Sequence, residues 1–220
     1  MSENELVKMD DLGTMPIDKH SDDDWDAAAS STTFLPRLQL MTSNSEKCKT
    51  GEFPTNHYAM IQDQKFDDLG PNIDILLVTW RPKALEVGDD GVISVFDPNN
   101  AEFQRIQDRS MNETNSGCMF GPEFLCWIPS VSRFATFFMG TKSSRREAGN
   151  VKARLKKAAT LGSTKIETKK FTWFAPQVSD CSTPFDMPGK DDMLAAVEQF
   201  NNPPVSDMEG VSDSKEARAR

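Results

Sequence analysis

The sequence predicts an α+β domain that is mostly β, built of five or more short strands with one or two helices. Short runs of β-branched and aromatic residues recur along its middle, and turn-forming Gly, Pro, Asn and Asp separate them. Few stretches show the 3.6-residue spacing of a helix. At 220 residues, the chain is long enough for one well-buried core, so we predict a single domain.

The most distinct predicted element is a central strand over residues 73–80. This stretch is β-branched and almost continuously apolar, and Pro82 follows it as a strand breaker. A hairpin is predicted next, because the turn sequence of residues 89–91 separates the β-rich runs 84–87 and 92–96.

Shorter apolar runs predict the remaining strands, which we place at 34–40, 57–61, 123–128, 134–139 and 163–174. The runs 123–128 and 134–139 are expected to pair. The last run is expected to form a single strand or a hairpin with the residues that follow it. Polar residues 42–51 are predicted to form a loop.

Two segments are predicted to be helical. Ser144-Arg145-Arg146-Glu147 matches a capping box, which predicts a helix that begins there and ends at Gly162. A second helix is predicted over residues 191–200, and residues 100–109 are a further short candidate.

Acidic segments poor in apolar residues flank the predicted domain. We expect residues 1–32 and 206–220 to be disordered tails, and residues 33–205 to form the single strand-rich domain. The start of the chain has no basic region followed by an apolar one, so no signal peptide is predicted. The longest apolar run falls far short of a membrane span, so we expect no membrane partner and a cytoplasmic location.

The four cysteines are scattered along the chain, at Cys48, Cys118, Cys126 and Cys181. Such scattering does not fit a disulfide scaffold and favours free thiols in a reducing compartment. The spacing between Cys118 and Cys126 is wider than that of paired zinc ligands. We therefore expect no metal site and no cofactor.

Charge is distributed unevenly in a chain whose net charge is −9. Residues 1–26 contain nine acidic residues against two lysines, and residues 186–213 contain seven against one. Between Arg133 and Lys170, by contrast, eleven basic residues stand against Glu147 and Glu167. The middle of the chain is therefore strongly basic, although the whole chain is acidic.

The sequence contains few residues that are suited to enzymatic catalysis. His20 lies in the predicted tail and His57 is the only other histidine. The sequence contains no nucleophile elbow, no zinc-protease helix motif and no dinucleotide-binding turn. Body carboxylates such as Asp67 and Asp89 have turn-like neighbours, for which solvation is the simpler explanation. We therefore predict that the protein is not an enzyme.

Residues 140–143, Gly-Thr-Lys-Ser, resemble the end of a phosphate-binding P-loop, but Ala135 stands where the first glycine is required. What remains is a helix N-terminus that could offer amides and positive charge to an oxyanion. The basic residues beside it are Lys142, Arg145 and Arg146. Alternatively, Ser144 and Glu147 already use those amides, and the sequence leaves both possibilities open.

The interleaving of basic and aromatic residues is the strongest functional signal. Proteins that bind single-stranded nucleic acid combine a cationic groove for phosphates with aromatic faces for bases. The candidate phosphate contacts are Arg81, Lys83, Arg133, Lys142, Arg145, Arg146, Lys152, Lys156, Lys169 and Lys170. The candidate stacking residues are Trp80, Trp127, Trp173 and Phe174. The alternative is that the aromatic residues fill the core and the cations solvate a helix face. For Trp173 we favour the core, because Phe171 shares its strand face, which leaves Phe174 as the better stacking candidate.

Three stretches resemble small proteins of tailed bacteriophages that bind single-stranded DNA. They are residues 117–125, 138–147 and 181–186, and the resemblance spans roughly residues 34–204. It implies an OB-like, partly closed barrel and a role in phage DNA replication or recombination in the host cytoplasm. It also implies contacts with other replication or recombination proteins through the acidic tails. The basic end of this chain, with Arg218 and Arg220, departs from the acidic tip of those proteins.

Two other functions stay open at this point. A virion or assembly protein would use the strand-rich body for protein contacts and the basic zone for acidic partners. A metal-dependent nuclease or phosphoryl-transfer enzyme would use carboxylates of the body. The sequence does not distinguish DNA from RNA as the bound strand.

Overall fold

A computed structural model describes residues 34–43, 45–88, 91–113, 116–167, 172–181 and 184–203. It confirms the α+β class, because a mixed nine-stranded sheet dominates these residues and four helices accompany it. Both predicted tails, 1–32 and 206–220, lie outside the described residues.

The strands are β1 Arg37–Leu40, β2 Tyr58–Gln62, β3 Lys65–Gly70, β4 Ile73–Gly88, β5 Gly91–Val95, β6 Cys118–Ile128, β7 Arg133–Phe138, β8 Ala158–Glu167 and β9 Thr172–Asp180. The helices are α1 Glu46–Lys49, α2 Ala101–Asn112, α3 Lys142–Lys152 and α4 Lys190–Asn201. Within the described ranges, no helix combines the length and the apolar character needed to cross a membrane.

The strand order is β3-β2-β1-β7-β6-β4-β8-β9, with β5 added beside β4. The β1–β7 pair is parallel and the other pairs are antiparallel. The sheet curls enough for the Tyr58 hydroxyl of β2 to donate a hydrogen bond to the Gly162 carbonyl of β8 at 2.7 Å. It is not closed into a barrel, since β3 and β9 end the order of described strands without pairing with each other.

Strand β4 is twice as long as predicted, because it continues through Pro82. The Pro122 carbonyl, opposite Pro82, accepts a hydrogen bond from the Met139 amide at 2.9 Å and therefore points away from β4. In an antiparallel ladder, Pro82 then also turns its nitrogen away from β6. On that side β8 pairs only with residues 73–76 and β5 only with 84–88, so no described strand loses a hydrogen bond at Pro82.

The main core lies inside the curl of the sheet. Tyr58, Leu77, Phe124 and Phe137 are buried there, and Val151 of α3 packs against them. Helix α2 covers the continuation of the same sheet face, where its Phe103 and Ile106 are buried. This confirms the helix predicted over residues 100–109.

Helix α4 covers the opposite face of the sheet. Its Met193, Ala196 and Phe200 pack on Val78 and Leu125. This helix confirms the prediction for residues 191–200. The two faces of β4 are therefore covered by different helices.

The predicted boundaries of α3 are wrong at both ends. The helix begins at Lys142, and Thr141 caps it by accepting a hydrogen bond from the Ser144 amide. It ends at Lys152, since Lys156 adopts a left-handed conformation with φ of 62° and its amide donates to Leu77 of β4. Gly162 lies inside β8.

The remaining differences are local. The expected strands over 34–40, 57–61, 123–128 and 134–139 are confirmed, and so is the hairpin pairing of β4 with β5. Strand β3 was missed, helix α1 lies inside the predicted loop, and the run 163–174 divides between β8 and β9. Cys48, Cys118 and Cys126 are free thiols, as expected.

Candidate nucleic-acid interface

The predicted site residues do not form one surface. The face covered by α2 and α3 contains Trp80 together with the basic residues of α3 and of the turn after it. The opposite face contains Arg81, Lys83 and Trp127. Lys169 and Lys170 lie outside the described residues.

A β-bulge decides where Trp80 points. The register between β4 and β6 shifts between Leu77 and Thr79. These two residues are two positions apart on β4, but their partners on β6, Cys126 and Leu125, are adjacent. Beyond the bulge Trp80 pairs with the core residue Phe124 and therefore lies on the face of α3, whereas Arg81 pairs with Glu123 on the face of α4. Without the bulge, simple alternation from Leu77 would exchange these two side chains.

Trp80 is the candidate stacking residue that the structure leaves most accessible, with 38% of its surface exposed. The Lys152 ammonium lies 3.3 Å from the centroid of its ring, within the range of a cation–π contact. Partial burial lowers the pKa of Lys152. An aromatic face and a cation therefore share one site at the C-terminal end of α3.

Helix α3 and the turn after it form the most basic described part of the chain. Residues 142–157 contain seven basic residues and one acidic residue, a net charge of 7 − 1 = +6. The exposed basic residues are Lys142, Arg146, Lys156 and Lys157. Asp180 neutralises Arg154 at 2.9 Å, and Glu147 accepts hydrogen bonds from the Val178 amide and from Asn150.

Arg145 is turned back onto the protein. Its guanidinium lies 4.0 Å from the centre of the Phe120 ring and donates hydrogen bonds to the carbonyls of Phe120 and Gly140. Burial lowers its pKa. Thr141 already accepts from the amides of Ser144 and Arg145, so the helix N-terminus has fewer amides for an anion than the sequence allowed. The predicted capping box was wrong in its residues, since Ser144 is the third helical residue and Glu147 takes no part in it.

Arg81 and Lys83 belong to an ion cluster on the opposite face. Both donate to Glu123, at 2.7 and 2.6 Å, and the Glu123 side chain is only 3% exposed. The Arg81 guanidinium also lies between the rings of Phe96 and Phe200 and donates to the Phe200 carbonyl. These contacts join β4, β6 and α4, which makes Arg81 and Lys83 poor candidates for phosphate contacts.

Trp127 and Arg133 are also engaged within the protein. The Trp127 ring packs against Phe134, with 4.9 Å between centroids, and its indole NH donates to the Asp186 carbonyl at 3.2 Å. Arg133 donates to the Gln62 side chain. Neither residue lies with the basic face of α3.

The two candidate aromatic residues of β9 line a small cavity of about 370 Å³ beside the start of α3. Trp173 is half-buried there. Phe174 is partly buried against the main core, to which Val178 on the same strand face also belongs. The sequence favoured the opposite assignment, with Trp173 in the core and Phe174 available for stacking.

A larger cavity of about 910 Å³ lies between the end of α2 and the beginning of α3. Val87, Met111 and Met119 form its apolar side, while Thr141 and Lys142 lie on the side of α3. The two cavities share Met119, Gly140 and Thr141, so they adjoin at the start of α3.

Sequence reasoning missed the role of Glu123 and the cavity wall at Met111. Glu123 lies in an apolar run, where an acidic residue next to a basic strand partner is a signal for a buried ion pair. Met111 gives no such signal, because the sequence does not show how α2 and α3 lie relative to each other.

Comparison of the chain with protein-family models, curated proteins and solved structures gives no match. The resemblance to phage proteins that bind single-stranded DNA therefore stays a prediction.

Proposed function

We propose that the protein binds single-stranded DNA without strong sequence preference, through the face formed by α3 and Trp80. The observation that carries the proposal is the exposed Trp80 ring, held beside a helix and turn of net charge +6. A base that displaces the Lys152 ammonium from the Trp80 ring can stack there, and the exposed cations of α3 can contact successive phosphates. Stacking tolerates any sequence, because every base has an aromatic face.

The proposal extends to fold and context. The curled sheet fits an OB-like, partly closed barrel, and the resemblance to phage proteins suggests DNA replication or recombination in the host cytoplasm. Other replication or recombination proteins would then contact the acidic ends of the chain. Single-stranded RNA offers the same phosphates and base faces, so binding to RNA is the nearest variant of this function.

Fluorescence anisotropy with a labelled oligothymidine, at two salt concentrations, tests the proposal. Binding should weaken steeply with salt, because each neutralised phosphate releases counterions. Reversing the charge at Lys152 and Lys156 should reduce both the affinity and the salt slope. The matched control reverses Lys65 on β3 and Lys190 on α4, which are exposed and lie away from α3.

Three outcomes would contradict the proposal. An interaction that does not depend on salt, or no interaction at all, would exclude the α3 face as a phosphate-binding surface. Metal-dependent cleavage of the probe would point to a nuclease.

A second candidate function, virion or other protein assembly, rests on the β4–β5 hairpin. Val87, Val92 and Ile93 expose large apolar side chains there. Apolar residues on an edge strand favour pairing with another chain. If this is their role, the protein should sediment as a dimer or larger species, and the variant Val92→Ser/Ile93→Ser should be monomeric with unchanged DNA binding.

A further inference from the structure

The 910 Å³ cavity lies at the beginning of α3, whereas Trp80 contacts Lys152 at the other end of this helix. Its volume is within the range of sites that bind small organic groups. Met111 is 55% exposed at its rim, so a flexible thioether is already accessible there. An apolar wall of this kind suits the flat faces of nucleobases better than it suits free phosphate.

The charges around the cavity favour an anionic chain. Lys142 is exposed, and no carboxylate pairs with it in the part of the chain that the structure describes. Glu113 also lines the cavity and pairs at 3.1 Å with Arg109, which Glu86 shares, while Arg145 adds a second cation to the lining. A ligand with apolar planes and a phosphate backbone therefore matches both sides of the cavity.

We infer that this cavity is a second base-binding site for the same single strand that stacks on Trp80. This inference rests on the proposed function. One or more bases would lie against Met111 and Met119, with a neighbouring phosphate at Lys142. Helix α3 connects the two sites and supplies phosphate contacts between them.

The length of α3 sets the size of the bound strand. Lys142 and Lys152 are ten residues apart, which corresponds to about 15 Å along a helix. Stacked nucleotides advance about 3.4 Å each, so roughly four to five nucleotides span that distance. A probe of about 3 nucleotides can reach one site, whereas a probe of about 12 can reach both.

The test compares the affinities of these two oligothymidines. The longer probe should bind the wild-type protein much more tightly than the shorter one. In the variant Lys142→Gln/Met111→Ser, about fivefold or more of this difference in affinity between the two probes should disappear. The matched control is Lys190→Gln/Met187→Ser. Lys190 is an exposed lysine at the start of α4, and Met187, which lies just before the helix, is 51% exposed. This control variant should keep the full difference in affinity.

A measurement without substitutions uses oxidation of methionine by hydrogen peroxide. The long probe should protect Met111 and leave Met187 reactive. If the variant Lys142→Gln/Met111→Ser retains the full difference in affinity and Met111 stays reactive in the wild-type complex, the cavity is not a base-binding site, although Trp80 can still be one. If neither probe binds the wild-type protein, the proposed function itself fails.

Discussion

Trp80 and Arg81 are neighbours in the sequence, but they occupy opposite faces of β4 and have different surroundings. Trp80 is accessible beside the cationic helix α3. Arg81 is packed between two phenylalanine rings and paired with the buried Glu123. A basic residue next to an aromatic one in sequence is therefore an ambiguous sign of a binding site. In a strand, the face on which each side chain lies decides its role.

The largest predicted effect concerns the Arg81 face. Glu123→Ala would leave the mostly buried cations of Arg81 and Lys83 without a carboxylate. Removal of one partner from such a cluster costs about 3 to 5 kcal/mol, because the remaining charge stays desolvated. Urea unfolding should show this loss. The exposed Lys165–Glu167 pair is the control, since Glu167→Ala should leave the free energy of unfolding nearly unchanged.

The two tryptophans of β4 and β6 should respond in opposite ways. Trp80→Ala should weaken oligonucleotide binding by about 1 to 3 kcal/mol and leave the melting temperature nearly unchanged. Trp127→Ala should destabilise the fold, because its ring packs against Phe134 and its NH is hydrogen-bonded, but it should leave binding intact. Binding isotherms and melting curves of both variants would test this. If both substitutions weakened oligonucleotide binding equally, the assignment of binding to the face of Trp80 alone would be wrong.

On strand β9, Phe174 and Trp173 can be compared in the same way, and the expected effects on stability are smaller. Phe174→Ala should cost more stability than Trp173→Ala, roughly 1 to 3 kcal/mol, because only Phe174 packs against the main core. Trp173→Ala should leave the melting temperature almost unchanged. If thermal denaturation shows the reverse order, the strand face inferred from Val178 is wrong.

The smallest predicted effect is a dependence on pH. On the face of Trp80, hydrogen bonds from Arg105 lower the pKa of Glu86, and Arg109 and the Cys118 thiol also contact it. Because the folded-state pKa is lowered, this contribution to stability is complete above the ordinary value of 4.5 and is lost as the pH falls through the lower folded-state value. Glu86→Gln should therefore reduce the melting temperature at neutral pH and have less effect near pH 3. A constant difference between wild type and variant would contradict this assignment.

Local sequence patterns were sufficient to predict the strand-rich α+β class and most of the strands and helices. Continuous β-branched sequence predicted the beginning of β4, and the spacing of apolar residues predicted α2 and α4. Strand β3 was not predictable in this way, because it is an edge strand with two exposed aspartates and few apolar residues. The start of α3 was ambiguous, since both Thr141 and Ser144 are good capping residues.

The candidate site was predictable only in part. The basic character of residues 142–157 is visible in the sequence, and so is the presence of aromatic residues near basic ones. The bulge after Leu77 is not visible, and it determines which of Trp80 and Arg81 lies beside α3. The assignment of Trp173 and Phe174 was reversed because alternation gives the period of a strand but does not say which face meets the core.

The parallel pairing of β1 with β7 has a consequence for synthesis of the protein. Leu38 pairs with Phe137, so 137 − 38 = 99 residues separate the two partners. At translation rates of about 5 to 20 residues per second, β1 leaves the ribosome roughly 5 to 20 s before β7 leaves it. During that interval the nascent chain has no partner for this edge of β1. A chaperone that holds extended apolar segments would therefore protect the first part of the chain before the sheet can assemble.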